Sequence, residues 1–242
     1  MSGMPPKEFH DAQVLQNVWN NALQPAQGCG LINLGNTCFL NSVLQCLVGT
    51  PALLNLVGSR HSHEALLSRH DLDTDWYVTF ERSLMKMINS PGKSLKPFPF
   101  TKTVPDVIKS HRHGEQEDAH EYLVNLLERL HKHAMDAYQK IHRLEKEWIK
   151  KNRHMELTSS INQIFAGIIR SQVVCRSCRG ASNAYDPFTN LSLELKDCSH
   201  VTDCLRQFTK VHLFVQSSSS WRSSSRDRPG ECMQAVIRRQ LL

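Results

Sequence analysis

Three groups of residues in this sequence have the types and spacing to do chemistry. The first is Cys38. It follows a loop containing Gly30 and Gly35, and precedes Phe39, Leu40, Val43, Leu44, Leu47 and Val48, an apolar face at helical spacing. That spacing predicts a helix from Thr37 onward, with Thr37 as its N-cap, the hydroxyl accepting from the orphan amides of the first turn. A cysteine in that turn faces the positive end of the helix dipole, which favours an anionic nucleophile. The free amides there point to where an oxyanion develops on an attacked carbonyl. Asn33, upstream in the same loop, can donate a side-chain amide to the same oxygen. The plain alternative for a cysteine is a small buried residue, the reading given to Cys46 on the same helix. The second group is Cys175 and Cys178, a C-x2-C that supplies two of the four ligands of a tetrahedral zinc site. The third is the carboxylate pair Asp118 and Glu121, which by itself reads as a solvated helix face.

These groups need elements to hold them. Val14, Leu15, Val18 and Trp19 predict one short helix within residues 1–24, ended by Pro25. Residues 58–75 are polar, rich in His and Ser, and read as a loop. Trp76 to Ile88 reads as a helix, and residues 91–105 as turns. Glu115 to about Leu130 is a strong helix, with Ala119, Tyr122, Leu123, Leu126, Leu127 and Leu130 on one face. Its period runs on through Ile141, Leu144 and Trp148, either in the same helix or in a separate one. Val173, Val174 and the run FTNLSLEL alternate as strands do. Helices followed by strands indicate an α+β protein. Beyond Gln216 the composition turns to Ser and Arg without periodicity, so residues 217–242 read as a disordered tail.

The chain has 242 residues, 40% of them hydrophobic and 21% charged, which excludes disordered, fibrous and collagen-like classes and suits one or two domains. No apolar run approaches the ~18 residues of a membrane span, and the N-terminus has no signal core, so neither a membrane nor secretion is expected. Eight cysteines are too few for a disulfide scaffold at this length and read as ligands, a nucleophile or buried residues. The net charge is +6, of which the last 26 residues, with five Arg and two acids, carry +3. The body holds no basic stripe with interleaved aromatics, so nucleic acid is not an expected partner.

Three segments together resemble one family. GLINLGNTCFLNSVLQCL at 30–47, HGEQEDAHEYLVNLL at 113–127, and IFAGIIRSQVVCRSC at 164–178 followed by YDPFTNLSLEL are similar, in order, to three family motifs. These are the Cys box, the Gln box, and the strand that enters the fingers with the first zinc knuckle. The family is the ubiquitin-specific proteases, papain-like deubiquitinases. The resemblance covers about residues 28–215 and is nearest to the nucleolar subgroup. It implies a papain-like α+β fold of thumb, palm and fingers, and thiol-dependent hydrolysis of the bond after ubiquitin's C-terminal glycine. By position it makes Cys38 the nucleophile and Asn33 the oxyanion residue. It puts Asp118 and Glu121, with Gln116 of the same box, at the basic tail of ubiquitin. It implies no cofactor for catalysis, a structural zinc at Cys175 and Cys178, and ubiquitin and ubiquitinated proteins as partners. It also implies an intracellular location in the nucleus, including the nucleolus, or the cytoplasm.

The sequence departs from that family in two ways. The box with the catalytic His and its orienting partner, His followed by glycines and then Gly-His-Tyr, does not occur. His120 reads as structural, His111, His113, His131 and His133 as surface residues, and His212 as an ordinary position; none is assigned as the base. The second zinc pair is also missing. Cys198 and Cys204 would complete C-x2-C-x19-C-x5-C, but Cys204 sits on a predicted short helix and reads as core. The expectation is a truncated catalytic domain over 28–216, after a lead-in at 1–27, with the thumb complete and the palm and fingers cut short. Such a chain is a ubiquitin hydrolase by family but inactive as it stands. The alternatives are a catalytically dead fragment that binds partners, and a small zinc adaptor, which explains none of residues 28–130.

Overall fold

The computed structural model describes residues 28–175, 178–215 and 234–241. The helix expected within 1–24 and residues 217–233 of the tail lie outside them. The chain divides into two compact units, with the boundary in sequence between Ile164 and Phe165.

The first unit opens with β1 (Gly30–Leu31) and α1 (Cys38–Val48), which buries Phe39, Leu40, Val43, Leu44, Leu47 and Val48, the face its spacing predicts. α2 (Pro51–Val57) begins with a proline, whose fixed φ suits a first helical turn. α3 (His63–Arg69) corrects the loop expected at 58–75. Ser62 caps it by accepting from Ala65 N at 3.2 Å. α4 (Trp76–Ile88) has the predicted bounds, with Asp75 as cap accepting from Val78 N at 3.2 Å. The turn-rich stretch holds β2 (Ser94–Leu95), which pairs with β1 in parallel, and the short α5 (Phe98–Thr101) and α6 (Val104–Val107). α7 (Ala119–His142) runs unbroken for 24 residues, starting later than Glu115 and ending beyond Leu130. Arg143 stops it in the left-handed region at φ 49. α8 (Lys146–Lys151) is separate, and a 3-10 turn leads to α9 (Ser160–Phe165).

α1 packs on α7, α2 and α4, and α4 on α3. Tyr77, Phe80, Tyr122, Leu40, Leu44 and Leu126 are almost fully buried between them. Polar groups are buried there too. Glu81 of α4 is 2% exposed, and its two oxygens accept from His63 N and Glu64 N, each at 2.8 Å. A carboxylate from one helix thus caps the start of another. Asp75 Oδ2 meets His63 Nε2 at 3.0 Å and His133 Nδ1 at 2.9 Å, and the His63 ring stacks on Tyr77 at 4.4 Å. This network ties α3, α4 and α7 together. It explains a helix at 63–69 that periodicity does not reveal. It also corrects the surface placement of His133, which is bonded into it. His131 is corrected as well, since its Nδ1 lies 2.8 Å from Ser159 Oγ.

The second unit is a four-stranded antiparallel sheet of β3 (Gly167–Cys175), β4 (Ala181–Phe188), β5 (His212–Val215) and β6 (Gln234–Leu241) in the order β4-β3-β6-β5, with α10 (Val201–Phe208) between strands in sequence. β3 pairs with β4 from Gly167↔Phe188 to Val174↔Ala181. The strand expected at FTNLSLEL keeps only its first residue. The real one, ASNAYDPF, lacks apolar alternation, and its first seven residues are exposed. Hairpin pairing with β3 forms it. The disordered reading of 217–242 is corrected at β6, which pairs with β3 and with β5. The free edge of β3 needs partners for its backbone groups, and a segment with Val236 and Ile237 has the strand propensity to supply them. Helical unit then sheet unit is the α+β class expected. No single described helix is long and apolar enough to cross a membrane.

Candidate active site

Cys38 opens α1 and is exposed. Thr37 holds the cap position, but its side chain makes no bond to the first-turn amides, which corrects the expectation. At φ −91 and ψ 16 its backbone is not extended, so the hydroxyl turns back into the loop. It accepts from Leu34 N at 3.0 Å and donates to Asn33 Oδ1 at 3.1 Å. Thr37 N also donates to Asn33 Oδ1, at 3.0 Å. Two donors therefore fix the carboxamide of the exposed Asn33 by its oxygen, and its NH2 is left as the group a ligand can use. The first-turn amides of α1 are likewise free of a side-chain cap. Both are properties of an oxyanion site.

The lead-in to Cys38 is held from several sides. Gln45 Nε2 donates to Cys29 O at 2.7 Å, and β1 is hydrogen-bonded to β2. Gly35 at φ 91 and Asn36 at φ 51 reverse the chain before the helix. At Gly35 the left-handed backbone is what excludes a side chain, since a Cβ there would meet nothing. Asn36 Nδ2 donates to Gly114 O at 2.8 Å, joining this loop to the one that precedes α7. From that second loop Gln116 Nε2 reaches Cys38 Sγ at 3.4 Å.

Asp118 is the N-cap of α7. Its Oδ1 accepts from His120 N at 2.7 Å and Glu121 N at 3.0 Å, and these bonds hold its carboxyl below the usual range. Neither a solvated face nor a substrate contact anticipated that role. Glu121 lies exposed in the first turn. The structure thus gathers Cys38, Asn33 and Gln116, and sets Asp118 and Glu121 at the head of the adjoining helix. Cys46 is exposed, contrary to its buried reading, because it lies off the apolar face of α1.

Several histidines are engaged by other groups among the described residues. His63 and His133 hold Asp75, His131 holds Ser159, and His200 pairs with Asp203 at 3.6 Å. His111 is corrected from surface to interior: its side chain is 7% exposed, with Nδ1 at 2.6 Å from Glu117 Oε1. Sequence reasoning missed this pair, since no periodicity links the two residues.

Cys175 and Cys178 sit on the turn from β3 to β4. Cys175 is buried, Cys178 is exposed, and Gly180 N donates to Cys178 Sγ at 3.4 Å. Cys204 is buried, as expected of core, and Cys198 Sγ donates to Gln207 Oε1 at 3.1 Å. Among the described residues no group of three metal-ligating side chains comes together. Two thiols do not close a tetrahedral zinc site, so these residues do not fit the metal by themselves. Zinc titration with a chromogenic competitor is expected to show no tight one-to-one complex. A tight complex lost on Cys198→Ser or Cys204→Ser would overturn this.

Comparison with known proteins follows the same lines. A family described as "Ubiquitin carboxyl-terminal hydrolase" matches residues 29–230. Human ubiquitin carboxyl-terminal hydrolase 42 is 34% identical over 183 residues, covering 76% of this chain and 13% of that protein. Ubiquitin carboxyl-terminal hydrolase 23 of Arabidopsis thaliana is 34% identical over 196 residues, covering 77% and 20%. Human ubiquitin carboxyl-terminal hydrolase 17-like protein 12 is 30% identical, covering 79% and 32%. The chain therefore spans a third or less of these relatives. Among solved structures, the SAGA Ubp8/Sgf11/Sus1/Sgf73 DUB module bound to ubiquitin aldehyde has a chain with a TM-score of 0.63 at 20% identity, covering 94% of this chain and 49% of that one. This last likeness concerns the fold.

Proposed function

We propose, because this chain belongs to the ubiquitin carboxyl-terminal hydrolase family, that Cys38 is the nucleophile of an acyl-transfer site directed at the carbonyl of ubiquitin's C-terminal glycine. The observation that carries the reading is the start of α1. An exposed thiol stands in a first turn without a side-chain cap, beside a carboxamide anchored by its oxygen alone. Attack forms the Sγ–C bond. The carbonyl oxygen becomes an oxyanion, met by Asn33 Nδ2 and the first-turn amides. Its collapse breaks the C–N bond to the substrate amine, and water then releases the acyl group. Asp118 and Glu121 offer negative charge to the basic tail of ubiquitin. Partners are then ubiquitin and ubiquitinated proteins inside the cell, in the nucleus or cytoplasm. The nucleolar subgroup rests on sequence resemblance alone.

The departing amine needs a proton, and the thiol needs a base. The partner resolved at Cys38 Sγ is an amide, Gln116, which does neither. This favours a second reading for the chain by itself, as a ubiquitin-binding fragment able to be captured but not to turn over. A ubiquitin bearing a C-terminal electrophile tests the first step alone. A covalent adduct is expected, mapped to Cys38 by mass spectrometry and lost in Cys38→Ala. An adduct at another cysteine, or none with a folded chain, would overturn the assignment.

A further inference from the structure

We propose that His111 and Glu117 are a positioning pair, a clasp that closes the loop between them so that the Gln116 amide stays hydrogen-bonded to the exposed sulfur of Cys38 and lowers its reactivity toward electrophiles. The inference rests on the reading of Cys38 as a nucleophile.

The pair is short and shielded. His111 Nδ1 lies 2.6 Å from Glu117 Oε1, with side chains 7% and 17% exposed. An ionised carboxylate only accepts, so Nδ1 carries the proton in this contact. The other side of the imidazole is set by Phe39, whose ring centroid is 6.2 Å away and tilted by 58°. Phe39 follows Cys38 in α1 and is itself fixed edge-on against Tyr122 of α7 at 5.4 Å. His111 is thus anchored to the helix that carries the nucleophile. Glu117 directly precedes the cap of α7, and the bond between the two closes a loop of five residues, 112–116.

That loop touches the nucleophile's own loop in two places. Gly114 O accepts from Asn36 Nδ2 at 2.8 Å, and Gln116 Nε2 donates to Cys38 Sγ at 3.4 Å. Gly114 has φ 87, so its backbone allows a turn that other residues resist. Within the loop Glu115 N donates to Arg112 O at 3.0 Å. A cavity of about 260 Å³ adjoins it, bordered by Thr37, Phe39, Phe98, His111, Gly114 and Glu115. Arg112, His113, Glu115 and Gln116 are exposed. A segment that borders a cavity keeps its shape through its hydrogen bonds, and the most shielded side-chain bond is the clasp. Opening it frees Gln116 to leave the sulfur.

A double-mutant cycle on Cys38 alkylation distinguishes this role from general support of the fold. Iodoacetamide is applied to the folded 242-residue chain and labelling at Cys38 is followed by mass spectrometry, with circular dichroism on each variant. His111→Phe keeps a ring against Phe39 and removes the bond. It is expected to raise the Cys38 rate by about threefold to tenfold, a range typical of coupling between residues in contact. Gln116→Ala should give a similar rise, and the double variant no more than Gln116→Ala alone. Glu117→Gln keeps an acceptor for Nδ1 and should stay within about twofold of the parent. Glu117→Leu breaks the pair from the other side and serves if His111→Phe does not fold. No rise in either variant overturns the clasp. A rise that persists undiminished in the Gln116→Ala background overturns positioning through Gln116. Failure of the ubiquitin electrophile to label Cys38 would instead count against the nucleophile reading, since alkylation needs no ubiquitin.

Discussion

A fluorogenic substrate built on ubiquitin's C-terminal glycine is expected to show no turnover by this chain above that of its Cys38→Ala variant. The thiol is exposed at a helix start, but the group resolved on its sulfur is the Gln116 amide. An amide takes no proton from a thiol and gives none to a leaving amine. Among the described residues His63 and His133 are committed to Asp75, His111 to Glu117, His131 to Ser159, His200 to Asp203, and His61 to Arg60. Loss of the base or its orienting partner in a triad lowers turnover by on the order of 10⁴-fold or more. That places the rate at the background of the assay, while single-step capture by an electrophile survives. Steady-state release of fluorophore that vanishes in Cys38→Ala would sink the expectation. His111→Phe would then show whether the buried imidazole beside Phe39 is the base.

Glu81→Ala is expected to destabilise the first unit by about 3 kcal/mol. Both carboxylate oxygens accept from the first amides of α3, at a site 2% exposed. Truncation leaves the buried His63 N and the half-buried Glu64 N without that acceptor, and opens a cavity besides. A thermal melt should fall by about 10 °C. Glu81→Gln behaves differently, and its difference from the parent depends on pH. Burial pushes the Glu81 carboxyl up to about 7, against the two backbone bonds that lower it. A carboxyl raised on folding contributes stability that is fully present below its unfolded range and lost as pH rises through its folded value. Relative to the parent, Glu81→Gln should therefore gain stability between about pH 4.5 and 7, by up to on the order of 3 kcal/mol, and then level off. His131 is pushed down by burial and acts the other way, losing stability as pH falls. The difference between the two proteins removes that contribution. A constant difference across this range would show that Glu81 is ionised throughout.

The site was legible in outline because its chemistry is local. Cys38, Asn33 and the helix between Thr37 and Val48 lie within one stretch, and apolar spacing alone placed that helix. Gln116, Asp118 and Glu121 were reached by resemblance, and their geometry was not. The capping role of Asp118 was within reach of the sequence, since Asp opening a helix is a common N-cap. The reading started that helix at Glu115, and so put the cap inside it. Cys46 was misread although its place off the apolar face of α1 argued against burial.

Local pattern by itself determined the bounds of α4, the apolar face of α1, Tyr122, Leu126, Leu127 and Leu130 on that of α7, the order of helices before strands, and the cysteine at a helix start. These depend on side chains within a few residues of one another, where periodicity and capping preferences act. Only the tertiary structure decided the rest. α3 exists because a carboxylate from α4 satisfies its first amides. β4 is polar yet extended because β3 offers it a ladder, and β6 is a strand because β3 has a second edge to pair. Thr37 lost its expected cap bond to Asn33, and His111 went inside because Glu117 and Phe39 meet it there. In each case the partner is distant in sequence or outside the pattern. A buried polar group takes whichever partner the fold brings within reach, and spacing along the chain does not encode that choice.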